Sequence, residues 1–556
     1  MSTTTMHAFT PAERYTEAQI ATFREKGYWD SHSLAYYIDL WAEKDAGKLA
    51  LTDHYGALTR GELRAQAYRF ALALKKLGVV AGDRVQVQLP NWNEFVVIYV
   101  ALARLGAILV PTMPVYRDDE VKFVIDNAGA KISIVTPEFR HFDYLTMIRG
   151  IKDATPGLEQ IITVRGDGSG PEASFEALSA GDTVPTDAEL GPVPSPDVPH
   201  AVIYTSGTES RPKGCQHTFG TMSFTAHRLA KDVFNLTDDD VMFMPTPITH
   251  ATGLAAGVMM PLFYGAAIHL IDVWEPNEGI RQIAQYKTTI SMAATPFLQM
   301  ALGAMKADPS LDMSSMRIWA SAGAPIPESM LRDWSEFVPS CLALPVYGNS
   351  EALVVSAMRY DDPEEKVVSS DGRAPEGIVI EIRGEAGEVM PTGQEGEITF
   401  TSPGMLLGYW DNLAKTAETI GPDGFFHTGD LGKLDSDGFL RVTGRIKDLI
   451  IRGGLNISAR EVEENAAVHP AITAIAAVSM PDERLGEKVC AFIVPAGDVR
   501  ITVQELAAFL QGERHIAPPK CPERIIFVEE LPTTATGKVQ KFLLRQQALE
   551  AVAASD

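Results

Sequence analysis

The chain has 556 residues, 46% of them hydrophobic and 22% charged, a composition that supports more than one globular domain and argues against collagen-like, low-complexity and disordered chains. The 48 Lys and Arg residues against 72 Asp and Glu leave a net charge of −24, which repels nucleic-acid phosphates and anionic lipid at long range and disfavours a nucleic-acid binder. Four scattered cysteines, Cys215, Cys341, Cys490 and Cys521, contain no C-x-x-C pair and suggest no disulfide framework, which fits a reducing cytoplasm.

The segment from Met1 to Arg14 is polar and lacks the apolar core of a secretory signal. Thr59 and Glu62 form a capping box, and Leu63, Phe70, Ala71, Leu74 and Leu77 recur at helical spacing up to Gly78. Alternation over Arg84 to Leu89 predicts a strand, Glu94 to Leu105 a helix, and Ile108 to Val110 the next strand, a grammar that implies parallel sheets. It continues through Lys131–Val135, Ile161–Val164, Ala201–Tyr204, Val241–Met244, Ala267–Ile271, Thr289–Met292 and Arg317–Ala320. The apolar run Ala251 to Ile271 is long enough to span a membrane, but Gly253, Gly257, Pro261 and Gly265 interrupt it, and it is read as a buried helix and strand. After about Pro375 the chain becomes β-rich, with turns at Asp423-Gly424 and Asp437-Gly438, then a helix over Ala459 to Val468. A domain boundary is expected near Gly444 to Asp448, and no repeat of 20 to 50 residues is visible.

Ligand sites of open α/β sheets gather where strands end, so the loops after these strands are the places to look for chemistry. Tyr204-Thr-Ser-Gly-Thr-Glu-Ser-Arg-Pro-Lys-Gly-Cys215 follows one such strand, and its amides, hydroxyls and Lys213 suit phosphate oxygens, although a surface turn has the same composition. Its Lys-Gly order is not that of a Walker A loop. Asp430, in a tight turn before the strand-like Leu431 to Leu434, can accept from two vicinal hydroxyls of a ribose or form an Asx turn. Asp435 and Asp437 lack the remaining ligands of a calcium loop and are read as a hairpin turn. Lys538 lies in a glycine-containing loop near the C-terminus, where a lone ammonium suits the charge that develops on an acyl phosphate.

In this order, from about Leu58 to Lys541, these segments resemble the adenylate-forming superfamily of acyl-CoA synthetases, adenylation domains of peptide synthetases and firefly luciferases. The matching motifs are Thr205 to Gly214, Ser321-Ala-Gly-Ala-Pro325, Tyr347-Gly-Asn-Ser-Glu351, Asp430, Gly444-Arg-Ile-Lys-Asp448 and Arg452-Gly-Gly-Leu-Asn-Ile457. The resemblance implies an α/β fold: a large N-terminal domain of two αβαβα-type layers plus a distorted β-barrel over residues 1–446, and a small mobile α+β domain over 447–556.

It also implies roles. Thr205, Ser206, Gly207, Thr208 and Lys213 would hold phosphates, Tyr347 would stack on the adenine with Ala322, Gly323 and Ala324 lining its edge through backbone groups, and Gly348 and Ser350 would also belong to the nucleotide site. Asp430 and Arg445 would hold the ribose, Glu351 would bind Mg²⁺, and Lys538 would bridge the carboxylate and the α-phosphate. Lys447 would be the hinge that brings Gly453-Gly454 to a pantetheine channel.

ATP, Mg²⁺ and coenzyme A are the implied partners, with a homodimer as a family-level expectation. Two departures stand out: Glu209-Ser210-Arg211 in the phosphate loop, and Ser350 where threonine is commoner.

His250, in Thr246-Pro-Ile-Thr-His-Ala-Thr-Gly253, matches the family's position between acyl pocket and thiol channel. With Ala293, Ala294, Thr295, Ala322, Val346 and Gly348 it forms a small, mostly apolar candidate pocket. No amino-acid-binding aspartate is evident beside it, and the local motifs look closest to short- and medium-chain or cyclohexanecarboxylate-CoA ligases. An apolar monocarboxylic acid is therefore expected. The alternatives are an aryl-acid adenylating enzyme that loads a carrier-protein pantetheine and a catalytically dead nucleotide-binding module.

Overall fold

A computed structural model describes residues 6–205, 211–534 and 538–553. Its larger part is built on two eight-stranded sheets. The first sheet runs Gly408–Tyr409, Lys213–Thr218, Pro199–Thr205, Ile108–Pro111, Arg84–Gln88, Ile132–Val135, Gln160–Thr163 and Ala173–Ser174. The second runs Ser356–Ala357, Leu342–Tyr347, Ile318–Ala322, Ile290–Ala294, Val241–Met244, Ala267–Leu270, Leu49–Asp53 and Gly56–Thr59. The central pairs are parallel, which is why these strands read as short continuous apolar runs: helices cover both of their faces.

The helix Asn93–Leu105 touches strands of both sheets and is buried from Phe95 to Arg104, so its sequence is apolar around almost its whole circumference. The helix Arg60–Lys76 packs beside it, started by the Thr59–Glu62 capping box and burying Leu63, Phe70, Ala71 and Leu74. The Ala251–Ile271 run folds as a π-helix over Gly253–Met259, a short helix over Met260–Tyr264 and the strand Ala267–Leu270, nearly all of it buried. Among the described residues no helix is long and apolar enough to cross a membrane. All four cysteines are free and buried.

Where the resemblance implied a distorted barrel, Val379–Arg383, Gly396–Thr401, Phe426–Leu434 and Leu440–Arg445 form a four-stranded antiparallel sheet. Arg373 bridges Ala357 of the second large sheet to Phe439 beside this one. Asp435 and Asp437 close a hairpin, each accepting from Lys366 Nζ at 2.6 and 2.7 Å. Asp430 is not in a turn ahead of a strand, as its glycine neighbour suggested. It lies inside the strand Phe426–Leu434, opposite Arg445, just before a register shift at Leu431/Gly432 that re-aims side chains.

After the 3₁₀ turn Ile446–Asp448 a separate five-stranded sheet begins: Leu449–Arg452, Leu455–Ser458, Ile472–Asp482, Gly486–Pro495 and Arg524–Phe527. The helices Ala459–Ala466 and Lys541–Ala553 pack on its strand Ile472–Asp482, and Val503–Gly512 packs against the first of them.

Candidate active site

Strand ends of both large sheets, the four-stranded sheet and the loop before Lys541 meet at one cleft. On the first sheet, Thr205 ends its strand and pairs across a hairpin with Lys213. Ser206, Gly207 and Thr208, with Glu209 and Ser210, lie outside the described residues. Lys213 Nζ stands 5.6 Å from the centre of the Tyr409 ring; burial and Lys415 push its ammonium down while Glu351 pulls it up.

On the second sheet, Ala293 and Ala294 end one strand, and Ala294 pairs with Ala322 at the end of the next. Thr295 opens the following helix, and its hydroxyl donates to the Ala324 carbonyl at 2.8 Å, tying this strand end to the segment Ser321–Pro325. Val346 and Tyr347 end a third strand. At Gly348 a Cβ would stand 2.3 Å from the Leu353 carbonyl oxygen, so only glycine lets the loop Asn349–Leu353 fold back so closely.

The titratable groups interlock. Tyr347 OH donates to Asp430 Oδ2 at 2.7 Å, and Arg445 Nε lies 2.8 Å from Asp430 Oδ1. Burial and then the Asp430 charge push the Tyr347 phenol well up, while Asp430 pushes the half-exposed Arg445 guanidinium up. Glu351 Oε1 accepts from Tyr409 OH at 2.7 Å, and its backbone carbonyl accepts from Leu406 N at 2.6 Å. Burial, then Glu351, push the Tyr409 phenol up.

Lys538 is surrounded by protein yet keeps accessible surface, as a group at the bottom of a cleft does. A Cβ on Gly323 would lie 3.9 Å from Lys538 Cε. Burial and Arg445 push its ammonium down, opposed by Asp430 and Glu351. Thr534 N donates to the Lys538 carbonyl at 2.7 Å and Lys538 N to Thr534 Oγ1 at 3.2 Å, closing the loop that carries it. The imidazole of His250 is held down to about 4, first by burial and then by the Lys538 charge. The cleft thus gathers Lys538, Gly323, Tyr347, Glu351, Asp430, Arg445 and His250.

Gly453 and Gly454 are not part of this cluster. Both have positive φ, 58° and 85°, in the two-residue turn between Leu449–Arg452 and Leu455–Ser458. A Cβ on Gly453 would meet only Leu485, in the turn between Ile472–Asp482 and Gly486–Pro495, and one on Gly454 would meet nothing within 4 Å. Lys447 sits in the exposed 3₁₀ turn, its carbonyl accepting from Arg545 at 3.1 Å.

Sequence reasoning missed three residues at this site. Tyr409 holds Glu351, the Asn349 side chain accepts from Ala352 N at 2.8 Å, and His217 Nε2 hydrogen-bonds the Ser350 carbonyl at 2.8 Å. For His217 a signal existed: a histidine inside the buried run Gly-Cys-Gln-His-Thr must find a polar partner.

Among the described residues no group of three or more His, Cys, Asp or Glu side chains could hold a metal ion. A lone carboxylate, Glu351, fits Mg²⁺ only as an ion carried largely by phosphate oxygens and water.

The family model described as AMP-binding enzyme matches residues 38–410, and the one described as AMP-binding enzyme C-terminal domain matches 461–538. The medium-chain fatty-acid–CoA ligase of Escherichia coli K12 is 35% identical over 96% of this chain and 94% of its own length. The 2,3-dihydroxybenzoate-AMP ligase of Bacillus subtilis 168 is 32% identical over 98% of each. The crystal structure of the anthranilate CoA ligase AuaEII in complex with anthranoyl-AMP superposes with a TM-score of 0.86 at 26% identity, covering 94% of this chain and 98% of that one. Alike in sequence and fold over nearly its whole length, the chain belongs to the AMP-binding enzyme family, the adenylate-forming superfamily.

Proposed function

We propose that this protein is an acid–thiol ligase that activates an apolar monocarboxylic acid, linear, alicyclic or aryl, with ATP and transfers the acyl group to coenzyme A. The observation that carries the reading is Lys538 lodged against Gly323, with Asp430 and Glu351 near enough to oppose the downward push on its ammonium.

In the first half-reaction the acid's carboxylate oxygen attacks the α-phosphorus of ATP and pyrophosphate leaves, giving acyl-AMP. Both reactants are anionic, so catalysis must position them and neutralise their charge. Tyr347 and the Ala322–Ala324 backbone frame the adenine, Asp430 and Arg445 take the ribose, and Lys213 with the Thr205 to Gly214 loop holds the phosphates. Lys538 bridges carboxylate and α-phosphate. Glu351 would hold Mg²⁺, which when bound supplies positive charge to the phosphate oxygens. In the second half-reaction the thiol sulfur of coenzyme A attacks the acyl carbon and AMP leaves. His250, neutral at pH 7, stands as a wall between acid and thiol path. The domain boundary is placed at 446/447, with Lys447 as the hinge about which the small part turns, withdrawing Lys538 and presenting Gly453-Gly454.

Ala293, Ala294, Ala322 and Val346 offer no charge to pair with a second carboxylate or an ammonium, which supports an apolar acid. The relative from B. subtilis named as an AMP ligase motivates a second reading, with a carrier-protein pantetheine as acceptor. The four buried free cysteines support a reducing, cytoplasmic setting, and the dimer of the family-level expectation is checked by sedimentation.

The test is pyrophosphate release with ATP, Mg²⁺ and acetate, octanoate, cyclohexanecarboxylate, benzoate or cinnamate, with and without coenzyme A. Release that turns over only with coenzyme A and an apolar acid is expected. Preference for a charged or amino acid would overturn the pocket reading, and exchange without coenzyme A turnover would favour the carrier protein.

A further inference from the structure

His250 sits in a loop of the second large sheet, yet the side chain that grips that loop comes from the first. The strand Arg84–Gln88 is followed by Leu89-Pro90-Asn91, and Asn91 is only 6% exposed. Its amide nitrogen donates to the Met244 carbonyl at 3.2 Å and to the Thr246 carbonyl at 2.9 Å, and its amide oxygen accepts from Ile248 N at 2.9 Å. Two carbonyls and one N–H admit only one orientation of this amide, with both amide hydrogens and the oxygen used. All three partners lie on the segment between the end of the strand Val241–Met244 and His250.

The far side of the loop is fixed as tightly. His250 N donates to the Pro247 carbonyl at 3.1 Å, Leu254 N donates to the His250 carbonyl at 2.8 Å, and a Cβ on Gly253 would stand 2.1 Å from Pro247 O. His250 therefore rides on a tight coil whose stem hangs on Asn91. The neighbours of Asn91 do a different job. Trp92 Nε1 donates to Asp272 at 2.8 Å and Asn93 N to Asp53 at 3.0 Å, which join the two sheets at their carboxyl ends without touching the His250 loop.

We infer that Asn91 is a positioning residue for the acid and thiol steps: through the stem of the loop it sets where the His250 imidazole stands relative to Lys538 and the acyl group. This rests on the reading of His250 given above. It assigns the first sheet, whose other contribution to the cleft is the phosphate loop, a part in acid selection.

The test compares Asn91→Ala, His250→Ala, the double variant and Trp92→Phe, the last removing the sheet-joining bond to Asp272 with part of the ring that packs on Arg165, away from the His250 loop. Measured are KM for acid and for ATP in pyrophosphate release, and the rate of thioester formation from supplied acyl-AMP. Asn91→Ala is expected to raise KM for the acid and slow thioester formation by about tenfold each, with KM for ATP changed less than about twofold. Adding Asn91→Ala to His250→Ala is expected to cost less than about twofold more, because both remove the same wall. Losses that multiply in the double variant, an equal rise in KM for ATP, or the same pattern from Trp92→Phe would overturn the inference. If His250→Ala slows these steps and Asn91→Ala does not, the inference alone fails. If His250→Ala changes neither, the reading of His250 falls and the inference with it. Should Asn91→Ala not fold, Asn91→Ser, which keeps one hydroxyl at the site, carries the same comparison.

Discussion

The two large sheets and the small sheet that begins at Leu449 treat polar groups in opposite ways. In the large sheets polar side chains are buried and committed: Asn91 spends its whole amide on one loop, Thr295 ties two strand ends, and His217 is fully enclosed. In the small sheet the strand Arg524–Phe527 is half-buried throughout. Its seam with the rest is polar: Arg441 faces Glu464 at 3.4 Å, Arg460 faces Asp371 at 3.9 Å, and Ser458 OH donates to the Thr443 carbonyl at 2.7 Å. Water replaces the more exposed of these contacts, such as Arg441 with Glu464, at little cost, whereas the committed groups have no substitute partner. Atoms that must not move are thus held by buried amides and hydroxyls. The ammonium of Lys538, which the proposed mechanism needs to withdraw, is held to the site across a polar seam. Within the small part it is anchored firmly, because the next helix pairs Lys541 with Glu463 at 2.7 Å and Arg545 with Asp448.

The sharpest way to break this contrast is Lys538→Ala. It is expected to slow adenylation by roughly 10²–10³-fold, as loss of one preorganised charge stabiliser does, while thioester formation from supplied acyl-AMP is spared. Equal loss in both half-reactions would mean that the lysine acts as a general structural group.

Acid comes next. His200 and His217, both buried in the large part, are held down to about 3 and about 4, in both cases first by burial. The unfolded chain then binds more protons than the folded one between about pH 6.5 and those values. Stability is therefore fully present above about pH 6.5 and falls with pH below it, by up to about 1.4 kcal/mol per pH unit for each histidine. Denaturant unfolding at pH 7.5, 6.5 and 5.5 reads this directly; a flat profile would show that these rings are solvated.

Lys447→Pro stiffens the turn between the two parts and is expected to slow thioester formation roughly tenfold more than adenylation. Equal slowing would remove Lys447 from the hinge. Smallest is Tyr409→Phe, which takes one hydrogen bond from Glu351. Worth about 1 kcal/mol, it is expected to raise the Mg²⁺ concentration for half-maximal pyrophosphate release about fivefold, with KM for the acid unchanged.

Much of the large part was legible in the sequence because buried parallel strands need unbroken apolar runs. Val241–Met244 matches its run to the residue, and Arg84–Gln88 and Ile290–Ala294 differ by one or two at an end. The glycines after these strands were legible too: Gly348 stands where a Cβ would clash with the Leu353 carbonyl, and Gly323 beside Lys538. What escaped depends on distant partners. Nothing near Asn91 announces Met244 to Ile248, and nothing near Tyr409 announces Glu351. Asp430 was misplaced because Gly429 and Thr428 are turn formers, whereas here they serve a register shift within a strand whose alignment comes from Arg445 across the pair. The N-terminal helices Glu17–Glu25 and Leu34–Lys44 went unread.

Cys215 lies two residues beyond Lys213, on the strand Lys213–Thr218 that leads the chain away from the cleft. Burial, and then the Glu351 charge, raise its thiol well above the ordinary range, so almost no thiolate forms. The thiolate, not the thiol, is the reactive nucleophile of a cysteine. Protonated and enclosed, the Cys215 sulfur is a poor nucleophile, so in the proposed mechanism it offers little competition to a thiol arriving from solution.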